Sequence, residues 1–292
     1  MMAHLKKSEP PTKAMRRVCR GHVVAALGWL RKTGRPAAIH RVRKEIKKSR
    51  AIVRLAGDTQ RRGANHKAAR RLRKVAHRLD ASRDAHVMLQ ELKKLANGHA
   101  ARFLETHHAL LNHSRREDRQ FRKHASGAAR RLLQSAKRRV RKLKFEASGW
   151  EAIEPGLKQN YRRARAMLRQ AGRQPLPENF HDWRKHVKNF RYHLEMLCPD
   201  WPAETRVLTA KLDRLGDCLG QDHDLYMLQH FVADEDNPKE APGLNRLIAA
   251  RQEKLRAEAL KLGAAVFLES SAVMSHRLKK QWQAWRDEPS GR

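Results

Sequence analysis

Apolar residues recur along this chain at helical spacing, and no clean run alternates apolar with polar as a half-buried strand would. Ala, Leu, Arg and Lys dominate, and these favour helix. Aromatic residues, which favour strands, make up only 5%. The pattern predicts an all-α protein. In the first half, helices are expected at about Lys13 to Arg31, Pro36 to Ala56, Asn65 to Leu79, Ser82 to Leu95, His99 to Asn112 and Arg115 to Phe145. Gly34-Arg35-Pro36, Gly57-Asp58 and Asn97-Gly98 supply the breaks. Ala147 to Gly156, rich in small residues and Pro, is the best boundary, so the chain divides into 1–146 and 147–292. In the second half, helices are expected near Leu157 to Ala171, Pro177 to Leu197, Ala203 to Leu219 and Asp222 to Ala233. The Asp236-Asn237-Pro238 and Pro242-Gly243 breaks then precede a helical tail from Leu244 to Trp285.

The two halves repeat one another. His40-x-x-Arg43-Lys44-x-x-Lys47-x-x-Arg50 returns as His181-x-x-Arg184-Lys185-x-x-Lys188-x-x-Arg191. At 3.6 residues per turn these positions form one stripe along a helix. Lys13, Arg17 and Arg20 match Lys158, Arg162 and Arg165, again on one face. Arg71 and Lys74 match Lys211 and Arg214, and Asp84 matches Asp224. Successive matches in near-constant register predict two pseudo-symmetric helical bundles.

Each motif helix has a separate core face: Val42, Ile46 and Val53 in the first, and Trp183, Val187, Phe190, Leu194 and Leu197 in the second. Like charges stacked along the remaining face repel one another. Solvation alone would be served as well by Glu or Gln in any order, so repetition of the same cations predicts a ligand-facing stripe. Arg offers forked donors matched to phosphate oxygens, Lys a point charge, and His a donor that a polyanion would recruit by raising its pKa. The whole chain agrees in sign: 65 Lys and Arg against 30 Asp and Glu give a net charge of +35. Such an excess favours acidic partners.

His40 to Leu55 (HRVRKEIKKSRAIVRL) and His181 to Leu197 (HDWRKHVKNFRYHLEML) resemble the signature of the CHAD family, the conserved histidine α-helical domain. Leu79 to Asp84 (LDASRD) and Leu215 to Leu225 (LGDCLGQDHDL) resemble its second signature. The resemblance covers about Lys13 to Phe231. It implies two helical bundles, together one CHAD domain, around a basic central groove or channel. It also implies binding of inorganic polyphosphate and association with polyphosphate granules. The expected polyphosphate-binding residues are the ten of the two stripes, with Lys13, Arg17, Arg20, Lys158, Arg162 and Arg165 on the flanking helices. Lys48 stands where the second copy has Asn189, and Arg54 where it has Glu195, so those pairs are left out of the site. Tyr192, where the first copy has Ala51, either stacks or packs.

Other chemistry finds little footing. Walker A, H-E-x-x-H and E-x-E-x-K patterns are absent, and Glu105-x-x-His108 comes without the further glutamates of a helical di-iron site, so no metal or cofactor is expected. Asp84 and Asp224 are read as helix-start carboxylates or as anchors for a basic residue rather than as catalysts. The expectation is a binding protein and not an enzyme. Sequence-independent nucleic-acid binding is the alternative that the net charge supports. Most of the six tryptophans fall on apolar faces, which suits core packing. Cys19, Cys198 and Cys218 form no C-x-x-C and suit a reducing cytoplasm. MMAHLKKSEPPTK has no apolar signal region, and no apolar run is long enough to span a membrane.

Overall fold

The computed structural model describes residues 4–32, 36–57, 63–96, 100–234 and 240–288, and their regular structure is entirely helical. The helices are α1 (Pro11–Leu30), α2 (Pro36–Leu55), α3 (Ala64–Arg78), α4 (Asp80–Leu95), α5 (Leu104–Gln120), α6 (Ser126–Val140), α7 (Glu154–Arg173), α8 (Pro177–Leu197), α9 (Ala203–Asp234), α10 (Ala241–Val266) and α11 (Ser271–Asp287). Proline opens α1, α7, α8 and α10, where its fixed φ suits the first turn and its missing N–H removes no bond. Gly57, at φ 76°, ends α2 in the left-handed region that a side chain resists.

Two rings of packed helices account for most of the molecule. In the first, α1 packs on α2, α2 on α3, α3 on α6, and α6 on α1. In the second, α7 packs on α8, α8 on α9, α9 on α10, and α10 on α7. They meet where α2 lies against α8 and α4 against α9. One apolar cluster runs through both. Val42, Ile46 and Val53 of α2 are buried, as are Trp183, Val187, Phe190, Leu194 and Leu197 of α8. Burying each such side chain contributes about 1.5–3 kcal/mol, which offsets the cost of holding cations on the opposite faces.

Several elements depart from the sequence reading. Residues 112–115 do not break the fifth helix. Ser114 is buried there, 2.6 Å from His86 Nδ1 on α4, so α5 continues to Gln120. A π turn, Phe121–Ala125, then leads into α6, which stops at Val140, short of Phe145. The two helices expected between Ala203 and Ala233 are one, because Gly220 stays helical inside α9. The expected tail is two helices: the chain breaks after Val266, and Ser270 caps α11 by accepting a hydrogen bond from Val273 N at 3.2 Å. Between α6 and α7 a short 3-10 turn, Gly149–Ala152, starts at Gly149 with φ 63°. The breaks expected at Gly34 and Arg35, at Asp58, at Asn97 and Gly98 and at Asp236 to Pro238 lie outside the described residues, as does the expected helix start at His99.

Candidate functional site

The two stripes meet. Where α2 faces α8, a cavity of about 320 Å3 is lined by Arg43, Lys47 and Arg50 from the first motif and by His181, Arg184, Lys185 and Lys188 from the second. Arg54, Asn189 and Tyr192 of the same helices complete these walls, α4 adds Asp80, Arg83 and Asp84, and α9 adds His223 and Met227. Two further cavities share walls with it. One of about 540 Å3 shares Arg50, Arg54, Lys185 and Asn189 and adds Arg73, Asn160, Arg163 and His186. The other, of about 340 Å3, shares Arg43, Lys47, Arg50 and Asp80 and reaches α3 at Arg73, Lys74 and His77.

α2 and α8 contact each other reciprocally. Lys48, eight residues after the first motif histidine, is ion-paired with Glu195, fourteen after the second. Arg54, fourteen after the first, donates to Asn189 Oδ1, eight after the second, at 3.2 Å. Such exchange of positions is what a local two-fold relation between two helices produces. The mismatched identities that kept these pairs out of the expected site are complementary halves of two contacts. Arg54 and Asn189 belong to the cavity wall. Lys48 and Glu195 pair beside it.

Carboxylates are few, and arginines engage them. Arg83 donates to Asp84 Oδ1 at 2.9 Å and to Asp224 Oδ2 at 3.1 Å. Asp80 is ion-paired with Arg43. Asp84 and Asp224 therefore hold a basic residue in place, and both lie inside helices rather than at helix starts. Burial opposes charge on Asp224, yet His223, Arg83 and Arg184 hold its carboxyl well below the usual range. Among the described residues, Lys47, Arg50, Arg184 and Lys188 make no ion pair.

These unpaired cations crowd one another. Burial, then Arg184, Arg43, Arg83 and Lys188, hold the Lys47 ammonium well below its ordinary value. Burial and Arg184 push Lys188 down to about 8. Burial, then Arg54 and Arg73, push Arg50 down to about 10. His181, stacked on His223 with ring centroids 4.5 Å apart, is pushed down to about 4 by burial, His223 and Lys185. Among the described residues, Arg43 Nε, Arg184 Nε and His181 Nδ1 are buried without a hydrogen-bond partner. An unsatisfied buried donor costs about 1–3 kcal/mol. The cavity thus stores repulsion and unused donors that an anion would relieve.

The other expected residues lie apart. His40 does not line the cavity but feels it: burial and Arg83 lower its pKa. Lys44 is exposed, and Arg191 is ion-paired with Asp213 outside the cavity. The structure does not bring the flanking six into the cavity. Arg17 pairs with Glu9 at 2.6 Å, Lys158 with Glu154 at 2.7 Å, and Arg165 donates to the Leu268 carbonyl at 3.3 Å. Lys13, Arg20 and Arg162 are exposed. Sequence reasoning missed Arg83. The one signal for it was a cation beside a repeated acid, because its counterpart in the second copy is His223.

The CHAD domain family model matches residues 14–233 as one continuous segment. The protein belongs to the CHAD family. Two solved structures share the fold of this CHAD protein. The CHAD domain from the plant Ricinus communis aligns with TM-score 0.67 at 17% identity, covering 91% of this chain and 94% of its own. PptA from Streptomyces chartreusis aligns with TM-score 0.62 at 16% identity, covering 87% of this chain and 99% of its own. A comparison with curated proteins gives no match. No described helix is long and apolar enough to cross a membrane.

Proposed function

We propose that this CHAD protein binds inorganic polyphosphate in the cavity between α2 and α8 and does not turn it over. The observation that carries the reading is the convergence of both repeated stripes on one cavity, where Lys47, Arg50, Arg184 and Lys188 make no ion pair among the described residues. A linear chain of phosphates carries regularly spaced oxygens that forked guanidinium and point-like ammonium donors can share. Binding without chemistry is favoured because the cavity's carboxylates are engaged by arginine: Asp80 by Arg43, and Asp84, with Asp224 behind it, by Arg83. The cytoplasm, at polyphosphate granules, is the setting this reading implies.

The test is competition at moderate salt between long-chain polyphosphate and duplex DNA for the purified protein. Polyphosphate is expected to displace DNA at much lower phosphate concentration, with no release of orthophosphate in Mg2+ or Mn2+. Preferential retention of DNA would favour sequence-independent nucleic-acid binding. Phosphate release abolished by a point mutation would establish an enzyme.

A further inference from the structure

The positive charge of this CHAD protein is concentrated on one side of the sequence. Residues 1–146 hold 41 Lys and Arg against 10 Asp and Glu, a net +31, whereas residues 147–292 hold 24 against 20, a net +4. The central cavity draws cations from both halves and does not explain the difference. Much of the surplus lies on α3 and α6, which pack together and carry eleven Lys and Arg with no Asp or Glu. Among the described residues none of those eleven is ion-paired with a carboxylate. Several cations of the second half are instead held by carboxylates: Arg214 by Glu258, Arg277 by Glu269 and Lys279 by Glu151.

Arg70, Lys74 and Arg78 follow one another at i, i+4 along α3, a spacing at which like charges destabilise a helix. Between the two helices lies a cavity of about 490 Å3 lined by Arg71, Lys74, His77 and Arg78 of α3 and by Arg131 of α6. Lys74 and His77 also line the cavity that shares Arg43, Lys47 and Arg50 with the centre. A cationic surface therefore continues from the central site, across the exposed edge of α3, to the outer α3–α6 face. The corresponding place in the second half differs: the counterparts of Arg71 and Lys74 are Lys211 and Arg214, and Glu258 holds Arg214.

We propose that the α3–α6 face is a second anion-binding site, continuous with the central cavity, that holds the part of a linear polyphosphate chain emerging from it. This rests on the polyphosphate reading above. The chain leaves across α3, because there the cations without an ion pair among the described residues continue outward from the cavity onto α6.

Two ligands separate the sites. Tripolyphosphate is short enough to occupy the central cavity alone, and long-chain polyphosphate reaches both. The triple variant R71E/R78E/R131E reverses the outer face, and R115E/R119E/R122E, on α5 and the π turn that follows it, matches its charge change. The outer variant should lose more than tenfold in long-chain affinity relative to the α5 control. Its salt slope should fall by about 2, at about 0.7 for each phosphate no longer neutralised. Tripolyphosphate affinity should be the same in the two variants. If reversal impairs folding by circular dichroism, R71Q/R78Q/R131Q carries the same expectation at smaller amplitude. Equal long-chain losses in the outer and α5 variants, with wild-type protein binding both ligands, would overturn this site and leave the central reading standing. Wild-type protein that binds neither ligand would overturn both. Loss of duplex DNA binding with long-chain polyphosphate untouched would assign the face to nucleic acid and overturn the proposal.

Discussion

Lys188 and His181 make the site a proton-linked one. Lys188 sits at about 8 against an ordinary 10.5, and His181 at about 4 against 6.5, each lowered first by burial. A bound polyanion favours their charged forms and raises both values. The complex then binds more protons than the free protein, so affinity should rise as pH falls from about 9 through 8. Calorimetry in two buffers of different ionisation heat should register proton uptake near pH 8. Binding with no proton uptake there would remove Lys188 from the site. Stability of the free protein runs the other way. Between about 8 and 10.5 the unfolded chain binds the proton that folded Lys188 has lost, so stability should rise with pH across that window. Between 6.5 and about 4 the unfolded chain likewise holds the proton that folded His181 lacks, and stability should fall as pH falls. At this scale the sequence was informative where identity repeats. Arg43, Lys47, Arg50, Arg184, Lys185 and Lys188 announce themselves by recurring. Arg83 does not, since His223 stands in its place, and Arg54 and Asn189 were hidden because a reciprocal contact needs complementary residues, not identical ones. The flanking triads recur as well, yet line no part of the cavity. Spacing says which residues share a face, and neighbouring helices decide which way the face points.

Among the elements, glycine was the ambiguous letter. Gly220 falls in the gap between two expected helices but lies inside α9, where an added Cβ would sit 3.7 Å from Arg184 Nε. Gly216 lies likewise beneath Lys188. These glycines let the two cations lie flat on α9, a packing reason that local propensity cannot reveal. Gly263 gives a sharper case. A Cβ there would fall 2.4 Å from the Trp183 ring, on the core face of α8 opposite the stripe. Alanine gains about 1 kcal/mol of helix propensity over glycine, while overpacking a core costs about 1–3 kcal/mol. The clash should win, and G263A should unfold at lower denaturant concentration than the wild type. An unchanged or raised midpoint would show that Trp183 moves aside at little cost. The break between α10 and α11 escaped notice for a related reason. Its anchor is Tyr161, whose hydroxyl donates to the Glu269 carbonyl at 3.1 Å from more than a hundred residues away.

For the whole molecule, net charge alone predicts attraction to any polyanion, and only the arrangement predicts a site. Counterion release makes the count of engaged phosphates measurable. With four or five of the central cations engaged, the logarithm of affinity should fall with that of salt at a slope of about −3 to −4, if polyphosphate behaves as a single strand. A slope near zero would contradict an electrostatic cavity. The central claim is that location outweighs total charge. The direct measurement compares polyphosphate affinity in two folded variants of equal net charge. One reverses Arg43, Lys47, Arg184 and Lys188 to glutamate, and the other reverses the exposed Lys211, Lys254, Lys261 and Lys280. Long-range attraction falls alike in both, and screening over about 10 Å leaves local interactions as the difference. Removing two charge-assisted hydrogen bonds at about 1.5 kcal/mol each already amounts to roughly a hundredfold. The cavity variant should lose at least about a hundredfold more affinity than the surface variant. Equal losses would contradict the account and leave binding spread over the surface.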